Sequence, residues 1–431
     1  VRRVAVIGAD FAPSSLPPAL RIRLVTRHLP EFGWEPIVVT TRPSFYECDV
    51  DPENLRLLPE GLRVIRTRAW PASLTRPFGI GDVGIRSLWH HWRVLSDLCR
   101  RRIVDAVWIP VPPYVPMVLG RLARARYGVP YAIDFIDPWV SDHYWKLPPE
   151  DRPPKWALAH GVSKLLEPFA LYKAGHITGV SRGTVDGVVR RYPWLAGRPT
   201  TELPYGAEPL DLDYVRNHPR PNTLFDPRDG NVHLTSVGRG GSDLRGPIRA
   251  LFRAVRAGWA RSPGLFERLR FHFVGTSYAT RGSARREIER LAREEGVDDR
   301  VAEHPERVPY LDGLQLLLDS HALIALGSEQ PHYTASKIFP YILAAKPLLA
   351  LFHRESAVVS ILESVGVSAV TFDATHPPES CAEEIRHRLE RVIRGEETPI
   401  RKEGLESYTA RLMAQRLAGA LEGLARTSRC G

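Results

Sequence analysis

A chain of 431 residues, 43% hydrophobic and 25% charged, can bury a large core, which favours two domains over one and excludes wholesale disorder. Its 59 Lys and Arg against 49 Asp and Glu leave a formal charge of +10, which suits an anionic partner and says nothing of fold. Four scattered cysteines, Cys48, Cys99, Cys381 and Cys430, form neither a CxxC pair nor a Cys/His metal spacing, so a reducing, cytoplasmic setting without a metal site is expected.

The first apolar run, Val4 to Ile7, reads as a strand with no signal-peptide pattern before it, and the next stretch as a helix with Ile22, Val25 and Leu29 on one face, stopped at Gly33. Further strands are expected at Ile37 to Thr40, Arg63 to Ile65, Ala106 to Ile109 and Tyr131 to Asp134. Near-continuous apolar strands separated by helices indicate a parallel sheet covered on both faces. The segment Leu88 to Leu95, followed by Arg100, Arg101 and Arg102, reads as a half-buried helix that could also touch an anionic membrane or an acceptor. A stretch poor in periodicity, Asp211 to Gly230, reads as an interdomain linker. The pattern then restarts, with strands expected at Val232 to Val237, Phe271 to Val274, Ala322 to Leu326, Pro347 to Leu351 and Ala369 to Phe372. Helices between them bury Ile248, Leu251, Phe252 and Val255, and Ile338, Tyr341, Ile342 and Ala345, while a last helix aligns Leu417, Leu421 and Leu424. The expected fold class is α/β, with two Rossmann-like domains facing each other across a cleft. The expected boundaries are 1–210 and 211–405, with a closing helix at about 406–425 packing back on the first domain. No uncharged apolar run approaches the about 20 residues of a membrane helix, and no nucleic-acid-binding signature accompanies the basic residues, so neither a membrane span nor a nucleic acid partner is expected.

Three segments carry chemistry. In the segment from Gly327 to Leu351, a strand, a loop and a helix follow one another; Thr334 or Ser336 can cap the helix, and Lys337 adds a full charge where the helix end already favours an anion. In Asp134-Phe135-Ile136-Asp137-Pro138-Trp139, two carboxylates close a strand, where Asp137 or Asp134 could orient a hydroxyl or stabilise developing positive charge. Equally, each could simply cap the turn. In Gly238-Arg239 and Leu244-Arg245-Gly246, a glycine turn stands beside two guanidinium groups able to clamp phosphate oxygens.

In its order of motifs the chain resembles the family 4 glycosyltransferases of the GT-B fold, and a bacterial subgroup with an Asp-Phe-x-Asp-Pro-Trp motif. Ser336-Lys337-Ile338-Phe339 through Pro347 resembles the family's donor-binding helix, with Pro340 where the family places a ribose-binding glutamate. His332 stands where the first of its paired glutamates would be, with Glu329 close by. The resemblance implies donor contacts at Gly238, Arg239, Arg245, Gly275, Val308, Glu329, His332, Thr334, Ser336 and Lys337, acceptor contacts at Ser14, Ser15 and His143, and catalytic roles for Asp137 and Asp134. It further implies a hexosyl or related transfer from a nucleotide diphosphate-sugar to a hydroxyl of a glycan, a lipid-linked or a small-molecule acceptor. The implied reaction retains configuration and uses neither metal nor cofactor beyond the donor as co-substrate. The implied location is cytoplasmic, with peripheral contact to the inner face of a membrane as a further option. An epimerase on the same fold, or a binding subunit lacking turnover, shares these features.

Overall fold

The computed structural model describes residues 1–48, 50–140, 156–277, 284–329, 337–401 and 404–427. The chain divides into two compact units, the first made of Val1–Gly206 and Tyr408–Gly431, the second of Ala207–Ser407.

The first unit runs β1 (Arg2–Ile7), α1 (Pro17–His28), β2 (Trp34–Thr41), β3 (Arg63–Thr67), α2 (Ala72–Thr75), α3 (Val83–Arg100), β4 (Ala106–Val111), α4 (Met117–Tyr127), β5 (Tyr131–Phe135), α5 (Trp156–Leu171), β6 (His176–Gly179), α6 (Arg182–Arg191) and β7 (Thr200–Glu202). Its strands form a parallel sheet in the order β3-β2-β1-β4-β5-β6-β7. Val4, Val6, Val107, Ile109 and Ile133 are wholly buried, because helices cover the sheet and no strand face is left to water. Three turns follow the rules of left-handed glycine: Gly33, Gly79 and Gly128 close helical segments at positive φ.

The second unit runs α7 (Pro209–Asn217), β8 (Val232–Val237), α8 (Arg245–Arg261), α9 (Pro263–Phe266), β9 (Leu269–Val274), α10 (Glu287–Glu295), β10 (Val301–His304), α11 (Tyr310–Asp319), β11 (Ala322–Leu326), α12 (Ile338–Ala344), β12 (Leu348–His353), α13 (Ala357–Ser364), β13 (Val370–Phe372) and α14 (Ala382–Ile393). Its parallel sheet has the order β10-β9-β8-β11-β12-β13, the doubly wound Rossmann arrangement, so the strand order reverses between β8 and β11. Helix α8 supplies Ile248, Leu251, Phe252 and Val255 to a core shared with Phe271, Phe273 and Ile324. The closing helix α15 (Ala410–Thr427) belongs to the first unit, where Leu424 fills the space above Gly175 and Arg411 pairs with Glu31 at 2.6 Å.

Two local expectations need correction. The stretch read as an unstructured linker begins with α7, which Glu208 caps by accepting from the Leu210 amide, and Leu212 and Val215 are buried. Within α7, Asp211 accepts from the Tyr310 hydroxyl at 2.9 Å, and beyond it Arg220 pairs with Asp312 on α11. The helix expected to bury Ala345 ends one residue earlier, and Ala345 takes the left-handed C-cap conformation at φ 53° and is only half-buried.

Candidate functional site

In the second unit, ligands are expected where the strand order reverses, outside the carboxyl ends of β8 and β11. The loop leaving β8 is Gly238-Arg239-Gly240-Gly241. It is zipped to the loop leaving β9, because Gly238 N donates to Val274 O and Gly240 N to Thr276 O, both at 2.8 Å. Gly238 sits at φ 131°, a conformation open to glycine, and a Cβ there would lie 3.2 Å from Cδ of Lys337. Lys337 therefore lies against the glycine loop, at the entrance of α12. Tyr341 fixes that approach: its hydroxyl accepts from Val237 N at 2.6 Å and donates to Val237 O at 3.0 Å, bolting α12 to the end of β8.

The charges are arranged as a short chain. Arg239 donates to Asp243 at 2.7 Å. Burial alone would raise the Asp243 carboxyl, but hydrogen bonds from Arg239 and Ser328 outweigh it and hold the group below its usual value. Lys337 is lowered to about 8, first by desolvation and then by the neighbouring Arg239 charge, with Asp243 opposing. Two cations thus share a glycine-lined loop with one carboxylate.

Glu329 follows β11 and turns to α8, where its Oε1 accepts from the Gly246 amide at 3.0 Å. A side chain at Gly246 would collide with that carboxylate, a Cβ lying 2.5 Å from Oε1. Glu329 therefore acts as the carboxylate at the N-terminal turn of α8, satisfying a donor that the helix leaves unpaired. Arg245 opens the same helix but faces α10, with Glu287 at 3.8 Å, on the flank of the loop. Gly275 turns at φ 70° after β9 and donates to His304 O, while Val308 lies close to Gly313, beside Val237. The helix at Lys337 begins with that residue in the cap position and no side-chain cap hydrogen bond. Of the expected donor residues, Gly238, Arg239, Glu329 and Lys337 come together, Gly275 and Val308 border them, and His332, Thr334 and Ser336 lie outside the described residues.

The first unit places its candidates at the carboxyl ends of β1 and β5. Asp134 is wholly buried and binds Arg21 through both oxygens, one of the contacts at 2.8 Å; Oδ1 also accepts from Thr178 at 2.5 Å. Arg21 in turn donates to Leu203 O at 2.6 Å and lies 5.1 Å from the ring centre of Tyr205. This corrects the expectation for Asp134: its carboxylate anchors α1 to the sheet and is not presented to a reacting sugar. Asp137, three residues on, is exposed, and desolvation on its protein-facing side raises its carboxyl above the ordinary value. Ser14 is buried and donates to Asp10 at 2.7 Å, so it shapes the loop after β1 and does not present its hydroxyl to an acceptor. Ser15 is exposed and accepts from Asn54 at 2.9 Å, and His143 lies outside the described residues. Asp10, which sequence reading passed over, is buried with its carboxyl raised by desolvation, the Ser14 hydrogen bond opposing.

Residues 18–206 match the model of the glycosyl transferase 4-like domain. The first unit therefore carries a glycosyl transferase 4-like domain, and the chain has the GT-B fold. The glycosyl transferase 4-like domain accounts for nearly all of the first unit's sheet and for Arg21, Asp134 and Asp137. No curated protein sequence matches the chain. Among solved structures, it is similar to sucrose-phosphate synthase from Thermosynechococcus elongatus, at 13% identity and a TM-score of 0.58, covering 99% of this chain and 100% of that one. An alpha,alpha-trehalose-phosphate synthase (UDP-forming) from Burkholderia vietnamiensis aligns at 13% identity and a TM-score of 0.59, over 99% of both chains. HepE of Anabaena in complex with UDP aligns at 13% identity and a TM-score of 0.57, over 98% of this chain and 100% of that one. The shared fold thus extends over both units. Among the described residues, no helix is long and apolar enough to cross a membrane.

Proposed function

We propose that the chain is a glycosyltransferase whose second unit holds a nucleoside diphosphate-sugar and whose first unit holds an acceptor, and that the sugar passes to an acceptor hydroxyl with retention of configuration and without a metal ion. The observation that carries this reading is the placement of Lys337 against Gly238 and Arg239 at the reversal point of a Rossmann sheet. As the bond to the sugar breaks, negative charge grows on the departing diphosphate. Two fixed cations and glycine-loop amides would stabilise that charge with little reorganisation. In this reading Asp137, exposed past β5, accepts a hydrogen bond from the acceptor hydroxyl, while Asp134 only holds Arg21 in place. Uridine is the base to try first, since a structural neighbour is UDP-forming and others are complexes with UDP or UDP-2-fluoro glucose.

A thermal-shift comparison of UDP, other nucleoside diphosphates and their sugars tests the donor, because a ligand that binds the folded state raises its melting temperature. A shift with at least one diphosphate, reduced in Lys337→Met, is expected; flat curves with every nucleotide would overturn the reading. Turnover over an acceptor panel with and without a chelator tests the metal, and loss of transfer on chelation would contradict metal independence. Incubating the sugar nucleotide without acceptor separates transfer from epimerisation.

A further inference from the structure

The first unit carries an apolar surface that the transfer reaction does not use. On α5, Leu158, Val162, Leu165 and Phe169 are exposed, and Tyr172 continues the stripe just past the helix end. At 100° per residue these five side chains fall within an arc of about 80° and span about 21 Å. Leu158 and Leu165 leave 69% and 71% of their surfaces to solvent. The opposite face carries His160, Ser163 and Glu167, all buried. Glu167 is occupied there, accepting from Val140 N at 3.1 Å and from Arg191 at 3.0 Å. Only the C-terminal end of the helix, at Leu166, Ala170 and Leu171, packs apolar side chains on the core, so the outward leucines form a second apolar face that an ordinary surface helix lacks. A contiguous exposed patch of this kind marks an interaction surface.

The surroundings of the stripe point to its occupant. Arg121 of α4 lies 4.9 Å from the ring centre of Tyr172, and Lys173 lies 5.2 Å from it on the same side chain. Trp194 packs at 6.1 Å from Tyr172, and Arg121, Pro168, Phe169, Tyr172 and Trp194 line a shallow groove of about 340 Å³. Lys164 on α5 adds a further cation, α4 has no acidic residue, and the single one on α5 is the buried Glu167. A second copy of this chain would bring the same cations to the same face, and like charges oppose such a dimer. Leucines in a line, flanked by Trp, Tyr, Lys and Arg, fit the interfacial zone of a bilayer, where rings sit at headgroup level and basic side chains reach lipid phosphates.

We propose that the outer face of α5, with Arg121, Lys173 and Trp194 beside it, docks the chain on a bilayer surface bearing anionic headgroups. Apolar side chains enter the acyl boundary, and the cations hold phosphates at the rim. The inference is independent of the transfer reaction.

The test is flotation of the full chain with vesicles of neutral phosphatidylcholine and with vesicles also containing phosphatidylglycerol. Wild type is expected to float with the anionic vesicles and to bind neutral ones more weakly. Leu158→Glu combined with Leu165→Glu is expected to lower the vesicle-bound fraction by roughly tenfold or more, with an unchanged melting temperature and an unchanged shift by UDP. Arg121→Gln with Lys173→Gln removes charge without touching the leucines, keeps the proposal testable should the glutamate pair misfold, and is expected to weaken binding only to anionic vesicles. Wild-type protein that stays with neither vesicle, or a glutamate pair that floats as wild type does, would overturn the proposal. So would a concentration-dependent dimer that the glutamate pair dissolves in the absence of vesicle binding, which would assign the stripe to a second copy.

Discussion

Replacing Lys337 by Met should make the protein more stable and its nucleotide binding weaker, and both effects should fade as pH rises. The ammonium is lowered from 10.5 to about 8, first by desolvation and then by Arg239. A change of that size corresponds to about 3 kcal/mol against the charged form, and solvent screening of a half-buried side chain reduces it to about 1–2 kcal/mol. The unfolded chain keeps this proton up to 10.5 and the folded chain releases it near 8, so the penalty is fully present below 8 and fades as pH rises toward 10.5. Lys337→Met, which keeps the aliphatic stem, should therefore raise stability at neutral pH by about 1–2 kcal/mol, a gain that closes at high pH. Binding moves the other way. A charge-assisted hydrogen bond to phosphate contributes about 1.5–3 kcal/mol, so the Kd for UDP at pH 7 should rise by roughly 10- to 150-fold. Above pH 8 the wild type must take up a proton to bind, losing up to about tenfold per pH unit, whereas the variant lacks this dependence. The nucleotide's own titration is common to both proteins and cancels. Calorimetric titration with UDP at about pH 7 and about pH 9.5, beside melting curves at the same pH values, reads both effects. Equal affinities at pH 7, or a gap that does not narrow at high pH, would refute the assignment of the Lys337 charge to the diphosphate.

Other perturbations test the frame around the site. Asp134→Asn leaves Arg21 buried beside a neutral amide and should cost about 3–5 kcal/mol in urea unfolding, which pairing it with Arg21→Met should largely restore. Glu329→Ala removes the acceptor of the Gly246 amide and should cost about 1 kcal/mol, while Glu329→Gln, which keeps an oxygen, should cost less; both are read in melting curves. His272 is lowered to about 3, first by burial and then by His233, so its neutral form contributes stability above about 6.5 that is lost as pH falls toward 3. Below 6.5 the slope should approach about 1.4 kcal/mol per pH unit, and His272→Gln should flatten it in urea titrations at stepped pH. Ala345 holds φ 53° at the end of α12, and Ala345→Gly should raise stability by about 1 kcal/mol in the same unfolding assay.

The strand pattern was legible where aliphatic residues ran without a break, as at Ala322 to Leu326, whose ends coincide with those of β11, and also at Val232 to Val237, where His233 and Ser236 interrupt the run but the ends coincide with those of β8. It was not legible at Val301 to His304, where Val-Ala-Glu-His carries little apolar signal and pairs along β9 as an edge strand. At the site, Lys337, Gly238 and Arg239 could be picked out because a glycine turn and basic residues follow apolar runs. Their proximity could not, since 98 residues separate Arg239 from Lys337 in the chain and Tyr341, which joins their elements, reads in sequence as one more apolar core residue. Gly240 and Gly241 carried a usable signal, a glycine run straight after a strand. Asp134 and Asp137 looked alike in sequence; only the position of Arg21, 113 residues from Asp134, separates a buried anchor from an exposed carboxylate.

The same geometry bears on where an anion would bind in the second unit. A helix N-terminus was the expected source, but α12 is only 7 residues long, and the first turn of α8 already has the Glu329 carboxylate on the Gly246 amide. A negative charge at that turn opposes a second anion there, so the backbone dipoles are not the main attraction. Among the described residues, the cations around the glycine loop are Lys337 and Arg239, with the Asp243 carboxylate held by Arg239. Burying Lys337 and placing it beside Arg239 costs stability, as its lowered value shows, and an anion entering between the two cations would recover part of that cost. A diphosphate reaching Lys337 would raise its proton affinity back toward the ordinary value. Proton uptake on UDP binding near pH 8, measured in buffers of different ionisation enthalpy, is therefore the most direct consequence of this arrangement, and its absence would place the diphosphate elsewhere.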